Sequence, residues 1–291
     1  DGAYDAFRVP GNDDWEVVDA KTHLYRSRRE FDDPGLVFGY FDFEGQRYKL
    51  VPYERFEHIA TENQFYTEKG DLYVGPGAFW KESDRRIYVR MQQTDLAVEN
   101  DFALPGLPTD PRQIAMVLFS DGAVLRIAGD TAHVVIAGLD LWYQNNALEI
   151  LPGAHDITVK DCNLLGGRSH VVIRDNAHDL LFDRIRVLDA VPDWIAWTDV
   201  KAGQKPAHSF QNAAFVFQGV HHVEVRNSLF HSIFDGFDGS GHDLHIHHNE
   251  FREIRDDCTQ FSSAGYNYDF HHNQMIHVSK GLGFQGSSDS E

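Results

Sequence analysis

The chain has 291 residues, enough for one large domain or two modest ones, and its 42% hydrophobic share with 21 Phe sets disorder aside. A formal charge of -19 repels a nucleic-acid backbone, and no stretch approaches the roughly 20 apolar residues of a membrane span, so nucleic-acid and membrane roles are excluded. The start at Asp1 without Met suits a processed N-terminus, and a secreted or periplasmic location is expected.

Residues 1–112 read as a β-rich N-terminal cap region. Gln46–Pro52 and Asp71–Trp80 have strand character around turns, and Arg86–Arg90 reads as the return arm of a hairpin. From 113 to 291 the pattern changes to a repeat. Six segments beginning at Val134, Ile157, Leu180, Val223, Leu244 and Tyr268 each carry apolar residues at positions one, three and eight. Their starts are 23, 23, 43, 21 and 24 residues apart, a period near 22 with one loop insertion at 191–212. That insertion holds Trp194, Trp197, Lys201, Lys205 and His208, a composition unlike the coils beside it.

A shorter strand precedes each template segment, as in Ala147–Leu151, Ala214–Phe217 and Asp235–Asp238. Two or three short strands per repeat, with no helix, indicate an all-β fold: a right-handed parallel β-helix solenoid behind the β-rich cap. A leucine-rich repeat would need a helix in every unit. Alternation places Ile150, Ile173, Val216, Phe237, Phe261 and Phe284 inside the coil. Arg174, Phe217 and Asp238 then share one outward row, and Gln260 belongs to another. Cys162 and Cys258 fall about four coils apart and are expected as free thiols. A coil begins at Gly281, so further coils or a partner are expected to cover the C-terminal end.

Chemistry concentrates at Asp235-Gly-Phe-Asp238 and, one coil on, Asp256-Asp257. Asp235 precedes these two by 21 and 22 residues, so the register brings the carboxylates together. Crowded carboxylates can divide into acid and base, as glycoside hydrolysis requires. Such aspartates also cap turns or hold calcium, and both readings stay open. No metal is required, and calcium is the candidate cation. The recurring His-His-Asn at 247–249 and 271–273 is read first as stacking of like residues on adjacent coils, with Asn249 over Asn273 as a side-chain ladder; a zinc ion held by histidines of adjacent coils is the alternative.

The Asp-Gly and Asp-Asp motifs resemble those of the polygalacturonase family of parallel β-helix hydrolases, within the broader pectin-lyase-like superfamily. The resemblance implies that Asp235, Asp256 and Asp257 are catalytic carboxylates of an inverting hydrolase acting on a polysaccharide or oligosaccharide. The family's Gly-His-Gly histidine is replaced by Lys280, and its Arg-Ile-Lys motif is missing. Asp238, Arg174, Phe217, Gln260, Lys280 and Trp194 are the expected substrate-binding residues. A polysaccharide lyase or uronate epimerase, and a non-catalytic carbohydrate-binding or tailspike-like solenoid, are the alternatives.

Overall fold

The structure is a computed structural model and describes residues 14–63, 73–94, 104–120, 122–142, 144–189, 213–262 and 265–285. The chain divides into two compact units, residues 1–121 with 190–211, and residues 122–189 with 212–291. The insertion at 191–212, and with it Trp194, lies outside the described residues.

The first unit is mostly antiparallel β structure. β1 (Trp15–Asp19), β2 (Leu24–Ser27), β3 (Phe38–Phe43), β4 (Gln46–Lys49), β5 (Val51–Pro52), the short α1 (Phe56–Ala60), β6 (Gly77–Lys81), β7 (Arg86–Arg90) and β8 (Ala115–Phe119) follow in order. They form two sheets, ordered β1-β2-β7-β6-β5 and β4-β3-β8, with β5 and β6 paired in parallel. The expected hairpin return is present, with Phe79 opposite Tyr88. Its core includes buried Trp15, Phe41 and Ile87. Arg90 is buried against the Tyr73 ring at 3.7 Å and donates to the carbonyls of Ile59 and Thr61, which compensates its desolvation.

The boundary at 113 moves. Ala115–Phe119 pairs antiparallel with β3 through Phe38 opposite Phe119, so the parallel coils start at β9 (Ala123–Ile127). An apolar strand looks the same in sequence whichever partner it finds.

The second unit is a parallel β-solenoid. β9 leads to β10 (Ala132–Ala137) and β11 (Asp140–Trp142). The next coils are β12 (Asn146–Ile150), β13 (His155–Lys160) and β14 (Asn163–Leu165), then β15 (Val171–Ile173), β16 (His178–Asp183) and β17 (Arg186–Leu188). β18 (Ala213–Arg226) and β19 (Leu229–His231) form one coil, and β20 (Asp235–His247) and β21 (Glu250–Arg252) the next. β22 (Asp257–Ser262), β23 (Tyr266–His271), β24 (Gln274–Ile276) and β25 (Lys280–Gln285) complete it. Every pairing between these strands is parallel, as in Ile157 beside Leu180 and Phe230 beside Phe251. In β18 and β20 the two strands expected separately run on as one.

Because equivalent residues recur on adjacent coils, like stacks on like. Phe230 and Phe251 lie 4.9 Å apart and Phe215 and Phe237 5.2 Å apart in the interior. Outside, His155, His178, His221 and His242 form a column with centroid spacings of 5.0, 4.7 and 4.9 Å. The chain turns after each long strand through a left-handed residue: Gly138, Asp161, Arg184, Asn227, His248 and His272 all have φ between 50° and 68°. Below that turn the amide ladder forms as expected: Asn249 accepts from the Ser228 N–H, donates to the Val225 carbonyl, and bonds Asn273.

Candidate functional site

The register of β18 corrects the assignment of faces. Phe215 pairs with Phe237, Val216 with Asp238 and Phe217 with Gly239. The outward row is therefore Glu149, Val172, Val216, Asp238, Gln260 and Gly283. Phe217 is 1% exposed and lies in the core against Phe237 at 5.8 Å, so it is not a substrate-facing residue. Val216, expected inside, occupies the outward row instead.

By the same register Arg174 aligns with Gln218 and not with Asp238. Its guanidinium holds Glu149 at 2.9 Å and the Gln218 side chain at 2.7 Å, in the row next to that of Asp238. Burial pushes the Glu149 carboxyl up, but hydrogen bonds from Arg174 and Arg126 outweigh it and hold the group below its ordinary value. The three form a structural ion-pair cluster.

The aspartates do converge. Asp235, Asp256 and Asp257 bring one carboxylate oxygen each to within 4.8 Å of one another, at 3%, 0% and 4% exposure. The first turn of one coil places Asp235, and the same point of the next places Asp256 and Asp257, whose backbone N–H bonds Asp235 Oδ1 at 3.1 Å. A coil further on, Lys280 stands beside Asp257 in the ladder. Its ammonium lies 2.9 Å from Asp256 Oδ1 and 3.7 Å from Asp257 Oδ1.

The hydrogen bond to Asp256, aided by the charges of both aspartates, holds Lys280 above its ordinary pKa. The shift favours its charged form beside the two aspartates. Its side chain remains 53% exposed beside the buried acids, while Asp238 and Gln260 are half-buried in the outward row.

Gly283 is the residue that motif reasoning passed over. A Cβ there would approach Asp257 Oδ1 to 3.2 Å and the Thr259 carbonyl to 2.9 Å. Since Gly283 sits in the outward row beside Gln260, the Asp257 carboxylate lies on that face. The signal was its spacing, one coil after Gln260. Cys258, next to Asp257 in the chain, packs within the core, and burial, with a smaller contribution from Asp257, pushes its thiol up to about 12, away from the reactive thiolate.

Chemically the site offers three carboxyl groups, one cation and little water. Proton sharing among the acids and recognition of an anionic group by Lys280 are the two things it can do. Compared with known protein families, curated proteins and solved structures, the chain matches none.

Proposed function

We propose that the protein is a secreted or periplasmic carbohydrate-active enzyme that cleaves a polysaccharide by glycoside hydrolysis at Asp235, Asp256 and Asp257. The observation that carries the reading is the meeting of these three carboxylates within 4.8 Å beside Lys280 on consecutive coils. Lys280 keeps Asp256 ionised. Asp235 and Asp257 share a proton, so one donates to the glycosidic oxygen as the C–O bond breaks, and the other attacks the anomeric carbon. Water then hydrolyses the glycosyl ester, with the first group now acting as base.

Carboxylates whose facing oxygens lie within 4.8 Å of one another leave no gap for the water that inverting enzymes hold between acid and base, which favours direct attack by a carboxylate. This departs from the inversion that the polygalacturonase resemblance implies. Lys280 stays on Asp256, and its half-exposed side chain presents the ammonium to the substrate from there. A cation in that place suits a uronate carboxylate.

The same cation supports a lyase as the second reading, since neutralising a uronate carboxylate acidifies its α proton. Calcium bound by the aspartates belongs to that reading. Incubation with a panel of neutral and uronate polysaccharides tests both. Hydrolysis yields reducing ends without ultraviolet absorbance and is lost in Asp257→Asn. An absorbing, unsaturated product that disappears with a chelator supports the lyase. Binding without any product overturns both in favour of a non-catalytic solenoid.

A further inference from the structure

One turn of the solenoid carries a feature that the aspartate site does not use. On two adjacent coils the strand-ending residue and the left-handed residue after it are both histidine: His247 with His248, and His271 with His272. Within each pair the two Nδ1 atoms approach to 2.8 Å and 2.6 Å, with the rings near perpendicular. The pairs stack in register, 4.9 Å between His247 and His271 and 5.0 Å between His248 and His272.

The far nitrogens of the inner rings face carboxylates. His247 Nε2 lies 3.1 Å from Glu224 Oε1, and His271 Nε2 lies 3.6 Å from Asp269 Oδ2. With the ring proton of the inner histidine on Nε2 beside its carboxylate, the inner Nδ1 accepts a hydrogen bond from the Nδ1–H of the outer histidine, and an ion entering between the rings replaces that proton. His248 and His272 also line an open groove of about 570 Å³ with Arg184, Asn227, Glu250 and Gln274, so the pairs are reachable from solvent.

We propose that each of these histidine pairs is a chelating site for a divalent transition-metal ion that accepts neighbouring imidazoles at right angles, Cu2+ above all. At a metal–nitrogen distance of about 2.0 Å, nitrogens 2.6–2.8 Å apart subtend about 80–90° at the ion. That is the cis edge of a square-planar or octahedral ion. Tetrahedral zinc needs an edge of about 3.3 Å at the same bond length. The two sites stand side by side along the coil axis, with water in the remaining positions.

The turn itself does not demand histidine. Arg184 and Asn227 occupy the same left-handed position on preceding coils, at φ 51° in both. Asn is at home in that conformation, so His248→Asn with His272→Asn removes one ligand from each pair and leaves the coil intact.

The full chain is titrated with Cu2+ at neutral pH and read by electron paramagnetic resonance, with circular dichroism to check the fold of each variant. The wild type is expected to take up two equivalents at these pairs with splitting from bound nitrogens, besides one at His221–His222, where the Nδ1 atoms also approach to 2.8 Å with rings at 77° and which the double variant keeps. The double variant, folded, loses the first two or binds them at least about 100-fold more weakly, whereas Asp257→Asn leaves them unchanged. Uptake with the same affinity and spectrum in the double variant overturns the proposal, as does copper signal that vanishes only in Asp257→Asn.

Discussion

At the scale of single residues, the most exacting position in the solenoid is Asn249. It is buried, and its amide serves three partners at once: the Ser228 N–H, the Val225 carbonyl and the Asn273 side chain. Alanine there strands a buried donor and a buried acceptor, each costing about 1–3 kcal/mol. Asn249→Ala is expected to lower unfolding stability by about 2–4 kcal/mol in a denaturant titration. A loss below about 0.5 kcal/mol would mean that the ladder contributes nothing net. Asn249 was legible because the motif repeats at Asn273 exactly one coil later in the spacing of the flanking histidines. Phe217 was not legible. Ala213-Ala-Phe-Val-Phe217 is apolar throughout, so no alternation marks its faces, and a slip of one residue is invisible until the ladder is seen.

At the scale of elements, the turns set how the molecule responds to acid. His221 is held below its ordinary pKa by burial first and then by the His178, His242 and His222 rings around it, with Asp179 opposing. His248 is lowered by desolvation first and then by His247, His272 and His271. For a histidine lowered on folding, the unfolded chain binds more protons between the two pKa values. The stability is therefore complete above about pH 6.5 and is lost as pH falls toward the folded value. Asp243 is lowered chiefly by its hydrogen bond from His242, and its contribution disappears in the same direction below about pH 4. Melting temperatures at constant ionic strength should be flat from about pH 7 to 8 and fall below about 6.5. A rise on acidification would contradict the columns as drawn. The columns follow from the repeat and could be foreseen as stacking; the Nδ1 contacts within His247–His248 and His271–His272 depend on the left-handed turn and could not.

At the scale of the whole molecule, the repeat period converts distant sequence positions into neighbours. Asp235 and Asp257 are one period apart, and Lys280 is one period beyond, so the cluster was readable from spacing alone. The ion pair that binds Lys280 to Asp256 was not, because spacing gives adjacency and not the direction of a long side chain. Nor was the start of the coils, since Ala115–Phe119 matches a coil strand in composition and is claimed by an antiparallel partner.

If Asp235 and Asp257 share the proton and Asp256, held by Lys280, sets the charge beside them, the three act as one unit and removing any one should cost as much as removing all. The decisive measurement is kcat on the cleaved polysaccharide for Asp235→Asn, Asp256→Asn, Asp257→Asn and the triple variant, with Asp243→Asn as a folded comparison. The account predicts a loss of about 10³-fold or more in each single variant, no greater loss in the triple, and an unaffected Asp243→Asn. A single variant of the three that keeps wild-type kcat, or losses that multiply in the triple, would contradict it.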